Sequence, residues 1–120
     1  EYFQGSFVTY ANILKKRILR VPRTILRKYG AVSEECAILM AKGAKKYGKA
    51  DIGLSFTGIA GPTGGSKEKP VGLVWISLAF PKGKIFTKKC LFTGTRHQIR
   101  EKAAITGLDF LRRKLIDENG

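Results

Sequence analysis

The stretch Val71–Phe80 constrains this chain more than any other. It is almost wholly apolar, broken only by Gly72 and Ser77, and rich in β-branched and aromatic side chains. Such a run predicts a strand buried on both faces, and it falls short of the ~18 apolar residues that a membrane span needs. Pro81-Lys82-Gly83-Lys84 then makes a tight turn, and Ile85–Phe92 is predicted to return as the hairpin partner. Further strands are predicted over Asp51–Thr57 and over Gly5–Tyr10, where Phe7, Val8, Thr9 and Tyr10 are β-branched or aromatic.

Helical signals lie between these strands. Asn12 can cap a helix over Ile13–Leu19 that ends at Pro22. Pro22 suits the first turn of a second short helix through Tyr29, with Gly30 placed to terminate it. Ser33 is an N-cap candidate, with Glu34 and Glu35 in the first turn, where the helix dipole favours them. Ala37, Met40, Ala41, Ala44 and Tyr47 then recur at helical spacing up to Gly48, a stripe of mostly small residues suited to close packing on a sheet. Thr95 and Gln98 form a capping box for a long last helix, whose expected core face is Ile99, Ala103, Leu108, Leu111 and Leu115. No repeat or linker interrupts the pattern, so residues 1–120 read as one α/β unit with helices packed on a mixed sheet.

Composition narrows the function classes. The chain carries 23 basic and 9 acidic residues, a net charge of +14, yet its 43% hydrophobic content is that of a globular domain rather than a disordered polycation. A basic field attracts nucleic acid or a phosphorylated metabolite, although a solvated basic surface explains it equally well. The cations are spread over every predicted element and no nucleic-acid-binding motif accompanies them, so nucleic acid is the weaker expectation. Cys36 and Cys90 are too few for a disulfide framework, and the default is a reducing, cytoplasmic setting. With a single histidine they offer no metal-ligand cluster, so zinc chemistry and a serine–histidine triad both fit poorly.

Between the predicted strands, Thr57 to Ser66 holds four glycines (Gly58, Gly61, Gly64 and Gly65), one proline and the hydroxyls of Thr57, Thr63 and Ser66. Glycines there let the backbone approach a ligand closely and turn successive N–H groups inward on an anion. A long polar connection between two strands is the plainer alternative. The loop is not a P-loop, because Ser66 separates Gly65 from Lys67. Nor is it a dinucleotide fingerprint, because Lys67-Glu68-Lys69-Pro70 leads into a strand rather than a helix.

Several runs form an ordered series. They are Tyr2-Phe3 before Gly5, Val8-Thr9-Tyr10-Ala11-Asn12 with Lys15 behind it, and Gly30-Ala31-Val32-Ser33-Glu34-Glu35. Thr57-Gly58-Ile59-Ala60-Gly61-Pro62, Gly64-Gly65, Lys69-Pro70-Val71-Gly72 and Val74-Trp75-Ile76 extend the series. Gly94-Thr95-Arg96 and Ile99-Arg100 complete it. The series resembles the CinA C-terminal domain family, the nicotinamide-nucleotide amidases, over nearly the whole chain. The resemblance implies a three-layer α/β/α fold with a mixed sheet, here without its N-terminal strand–helix unit. It implies hydrolysis of nicotinamide mononucleotide to nicotinic acid mononucleotide and ammonia by a serine nucleophile and a lysine base, with no metal and no cofactor. Its Y-S-N-x-x-K pattern falls on Tyr10, Ala11, Asn12 and Lys15, so Lys15 is the implied base and Tyr10 the implied proton-transfer partner. Thr57 is implied to help hold the reacting amide, with Gly58, Gly61, Gly64, Gly65, Arg96 and Arg100 near the nucleotide. Expected partners are the small nucleotide substrate and further copies of the chain, with no membrane.

Two substitutions depart from the family pattern. Ala11 replaces its usual serine and Ser6 a common glycine, and neither removes a principal catalytic group. The family's nucleophile belongs to an E-S-C-T-G-G stretch on an earlier strand–helix unit. None of Ser6, Ser33, Ser55 or Ser66 occupies that position. A chain that opens so close to a strand is expected to have an upstream segment, whether Glu1–Ser6 is native or left by a cleaved vector tag.

The chemistry asks much of Lys15. A lysine acts as a base only when neutral, so its reference pKa of ~10.4 must fall by about three units, or ~4 kcal/mol, to match neutral pH. Desolvation and the neighbouring charges of Lys16 and Arg17 push in that direction. On local sequence alone, Lys15 reads as an exposed helix lysine, Tyr10 as a strand aromatic and Thr57 as a polar strand end. Arg96 and Arg100 read as a solvated first helical turn, where cations are disfavoured by the dipole, and two of them there hint at a nearby anion. The competing function is a non-catalytic regulatory or nucleic-acid-binding domain of the same fold.

Overall fold

The computed structural model describes residues 22–119. Tyr10 and Lys15, with the expected strand Gly5–Tyr10 and helix Ile13–Leu19, lie outside the described residues.

The described part is an antiparallel sheet with helices on both faces. Helix α1 spans Arg23–Tyr29, with Pro22 at its N-cap and Gly30 after it at φ 83°. Helix α2 spans Glu34–Tyr47, and the Ser33 hydroxyl accepts from the Cys36 N–H at 3.2 Å, as an N-cap should. Strands β1 (Gly53–Gly58), β2 (Leu73–Ala79) and β3 (Ile85–Leu91) pair in that order, and a 3₁₀ turn at Pro81–Gly83 joins the last two. Helix α3, Arg96–Asn119, closes the chain. Thr95 and Gln98 do form a capping box: the Gln98 N–H donates to Thr95 Oγ1 at 3.2 Å, and the Thr95 N–H to Gln98 Oε1 at 2.9 Å. Both strand pairings among the described residues are antiparallel.

The period-two alternation of the strands sorts the sheet into two faces. Leu54, Phe56, Val74, Ile76 and Leu78 point toward α3 and form one core with its Ile99 and Ala103. The other face is small and partly polar. It carries Gly53, Ser55 and Thr57 on β1, opposite Ala79, Ser77 and Trp75 on β2. Helix α2 lies close upon this face through buried Ala37, Ala41 and Ala44, so close that a Cβ on Gly53 would fall 2.1 Å from the Ala41 carbonyl oxygen. The Ser55 hydroxyl, itself buried, donates to the Ala37 carbonyl at 2.6 Å, and the Ser77 and Thr87 hydroxyls meet at 3.1 Å. These bonds satisfy polar groups that the close approach removes from water. A second cluster, Leu26, Cys36, Met40 and Ala44, packs α1 against α2.

Two expected core positions are displaced, the first being Tyr47, the last residue of α2, which is 46% exposed. The second, Leu108, is 44% exposed, whereas Ile99 and Ala103 are buried and Phe110, Leu111 and Leu115 pack on the core. The residue that faces the sheet is Gly107. The Phe56 ring occupies the space a side chain there would fill, and Leu108 lies about 100° farther round the helix.

Candidate functional site

The glycine loop leaves the end of β1 and returns to β2. The Ile59 N–H donates to the Leu73 carbonyl at 2.9 Å and the Gly72 N–H to the Ile59 carbonyl at 2.7 Å, so the base of the loop continues the strand pairing. Beyond that neck the backbone turns with positive φ at Gly61 (83°) and Gly64 (94°), conformations that favour glycine. Pro62 through Glu68 are exposed. The loop closes on itself at its far end, where the Ser66 N–H donates to the Lys69 carbonyl at 2.8 Å and the Lys69 N–H to Ser66 Oγ at 3.1 Å.

Arg96, the first residue of α3, reaches this loop. Its Nη1 donates to the Gly61 carbonyl at 3.2 Å. One helical turn on, Arg100 borders a cavity of about 490 Å³ between β1 and α3. Its floor is apolar, formed by Phe56, Val74, Ile99 and Ala103, and Gly58 supplies the wall nearest the loop. His97 and Glu101 stand at the rim, 3.6 Å apart and both exposed. The fold thus brings Gly58, Gly61, Arg96 and Arg100 together at one end of the sheet.

Thr57 is not part of this cavity. It points to the opposite face of the sheet from its neighbours Phe56 and Gly58, is 1% exposed, and donates its hydroxyl proton to the Ala31 carbonyl at 2.7 Å. Gly64 and Gly65 lie on the exposed part of the loop and do not line the cavity. Lys15 and Tyr10 are outside the described residues. Among the described residues, no three His, Cys, Asp or Glu side chains come together as a metal would require. None of the described helices is long and apolar enough to cross a membrane.

Sequence reasoning overlooked Lys69. The Lys69-Pro70-Val71-Gly72 run is conspicuous, but nothing local in it indicates where the ammonium goes. Its Nζ donates to the Tyr29 carbonyl at 2.6 Å, across forty residues of chain.

Comparison with known proteins assigns the chain to a family. The family model described as "CinA C-terminal domain" matches residues 1–115. A CinA-like protein of Dictyoglomus thermophilum is 51% identical over 117 residues, 98% of this chain and 28% of that protein. A CinA-like protein of Kosmotoga olearia is 51% identical over 114 residues, 95% of this chain and 27% of that protein. This sequence therefore spans little more than a quarter of these relatives. Among solved structures, the competence/damage inducible protein CihA from Agrobacterium tumefaciens superposes with a TM-score of 0.85 at 39% identity, covering 89% of this chain and 66% of that one. A CinA superfamily protein from Klebsiella pneumoniae gives a TM-score of 0.86 at 33% identity, over 91% of this chain and 68% of that one. The chain belongs to the CinA C-terminal domain family.

Proposed function

We propose that this domain hydrolyses the carboxamide of nicotinamide mononucleotide, giving nicotinic acid mononucleotide and ammonia. The observation that carries the proposal is the meeting of the glycine loop with the first turn of α3. Arg96 bonds the Gly61 carbonyl, and Arg100 shares a cavity with Gly58. A guanidinium bonded to the positive-φ Gly61 and a second bordering the adjacent cavity suit a phosphate, and an apolar floor of Phe56 and Val74 suits a flat ring. Membership of the family supports the same assignment.

In this mechanism a serine on a segment preceding Glu1 attacks the carboxamide carbon while its proton passes to the neutral amine of Lys15. Tyr10 assists that transfer. Collapse of the tetrahedral intermediate breaks the C–N bond, and ammonia leaves with the proton. Water then cleaves the acyl–serine ester and restores the serine. No metal or cofactor takes part. Thr57 serves the reacting amide indirectly, by holding the Ala31 backbone. The active form is a cytoplasmic homo-oligomer.

Full-length protein incubated with nicotinamide mononucleotide should release ammonia, and Lys15→Ala should abolish the release. The proposal is overturned if full-length protein carrying the upstream serine releases none. A nucleic-acid-binding domain would instead retain random-sequence DNA, with an affinity that drops steeply as salt rises.

A further inference from the structure

A second cavity lies at the other end of the sheet, where β1 begins and the turn from β2 to β3 folds over. It encloses about 300 Å³, the lower end of the range in which proteins hold small ligands. Its back wall is apolar, formed by Ile52, Phe80 and Leu115. Ile52 and Leu115 pack on the core, and Phe80 is itself buried. The Phe80 ring stands edge-to-face on Phe86 with centroids 5.4 Å apart, so the wall is fixed by packing.

Four charged side chains surround the opening: Asp51, Lys82, Lys84 and Glu118. Two of them neutralise each other. Lys84 Nζ meets Glu118 Oε1 at 2.5 Å and ties the start of β3 to the end of α3. Asp51 and Lys82 have no ion-pair partner among the described residues. Counted on by two residues, the register that pairs Gly53 with Ala79 sets Asp51 opposite Pro81, the neighbour of Lys82. The two charges thus border one opening without pairing.

Backbone strain gathers at the same place. Lys49 and Lys82, with φ 52° and 65°, are the two non-glycine residues with left-handed backbone among the described residues. Lys49 stands two residues before Asp51, and Lys82 borders the cavity itself. The Cβ of a lysine disfavours this conformation, and residues held in it concentrate at functional sites such as ligand clamps. Glycine would adopt it freely, as Gly83 does one place later at φ 75°.

We propose that this cavity binds a free α-amino acid with an apolar side chain. The ligand's carboxylate meets Lys82 and its ammonium meets Asp51, while its side chain rests on Ile52, Phe80 and Leu115. An unpaired cation and an unpaired anion beside one apolar wall complement a zwitterion. A ligand with a single charge would meet one attraction and one repulsion there. Lying at the far end of the sheet from Arg96 and Gly61, the site is independent of the amidase reading.

The test is a calorimetric titration of full-length protein with L-leucine, for which a Kd of about 0.1–1 mM is expected. Leucinamide lacks the carboxylate and N-acetyl-leucine lacks the ammonium, and each should bind at least about tenfold more weakly. Asp51→Asn and Lys82→Gly should each weaken leucine binding at least about tenfold. Lys82→Gly removes the charge but preserves the turn, because glycine accepts a left-handed backbone. Hydrogen exchange at the backbone amides of residues 80–84 should slow when leucine is added. No binding of leucine at about 10 mM overturns the proposal. So does undiminished binding in either variant, or leucinamide binding as tightly as leucine, which would leave only an apolar dent.

Discussion

The ring of Phe56 lies against the backbone of Gly107, so near that a Cβ on the glycine would fall 2.4 Å from Phe56 Cζ. A helix–sheet contact of that kind is fixed by an absent side chain. Gly107→Ala should therefore destabilise the domain despite the better helix propensity of alanine. Overpacking costs ~1–3 kcal/mol and the propensity gain returns ~1, so a net loss of about 1 kcal/mol is expected in urea unfolding. Adding Phe56→Leu should make the two changes non-additive, with Gly107→Ala becoming neutral or stabilising in that background.

Two other glycines separate backbone strain from steric exclusion. Gly83 has φ 75°, and nothing lies within 4 Å of a Cβ placed on it. Gly83→Ala should lose ~1–2 kcal/mol, the cost of a left-handed alanine. Gly72 has φ 98°, and a Cβ there would fall 1.9 Å from the Phe92 carbonyl oxygen. That oxygen is backbone, and the Phe92 N–H donates to the Gly72 carbonyl at 2.9 Å, so neither strand can easily withdraw. Gly72→Ala should lose at least ~3 kcal/mol. Equal losses at the two positions would show that crowding at Gly72 is relieved by movement.

What the sequence disclosed follows the range of the forces involved. The caps at Ser33 and Thr95 and the terminator Gly30 act within a single turn, and all three stand where local pattern placed them. Val71–Phe80 was legible as a strand from its composition, but the strand proper is Leu73–Ala79. Gly72 instead bonds the Ile59 carbonyl at the neck of the loop. Leu108 misled because helical spacing allows for hydrophobic residues but not for a ring from the sheet that takes the place of a side chain. At the site, the glycine loop and the arginines of α3 were visible as separate motifs. Their meeting through Arg96 and Gly61, thirty-five residues apart, was not, nor was the burial of Thr57 on the other face. Both depend on how the layers stack, which no local window contains.

Cys90 lies on β3 opposite Val74, with its side chain in the core. Burial pushes its thiol pKa upward, and the Lys88 charge opposes this more weakly. A raised folded-state value means that the native protein holds the proton more tightly than the unfolded chain. The resulting stability is complete below the ordinary thiol range near ~8.5 and fades as pH climbs through the raised value. At pH 8, carboxamidomethylation of Cys90 followed by mass spectrometry should run at least about tenfold slower in folded than in unfolded protein. Lys88→Gln should slow it further by removing the charge that favours the thiolate. Faster labelling in Lys88→Gln would contradict this electrostatic assignment.

Under the proposed function, Arg96 gives the sharpest test of how a nucleotide would be held. Its guanidinium already donates to the Gly61 carbonyl, so two explanations of an Arg96→Ala defect must be told apart. If Arg96 binds the phosphate, the loss of a charge-assisted hydrogen bond worth ~1.5–3 kcal/mol should raise KM for nicotinamide mononucleotide by about 10- to 100-fold. Nicotinamide riboside has the same ring, ribose and scissile amide but no phosphate, and its KM should then change by less than about twofold. If Arg96 serves only to shape the glycine loop, both substrates should suffer alike, because both rely on that loop. Arg96→Lys keeps the charge but loses the bidentate fork, so it should restore part of the affinity for the nucleotide and leave the riboside unaffected. An equal defect for the two substrates in Arg96→Ala would move the phosphate-binding role from Arg96 to Arg100 or to the loop backbone.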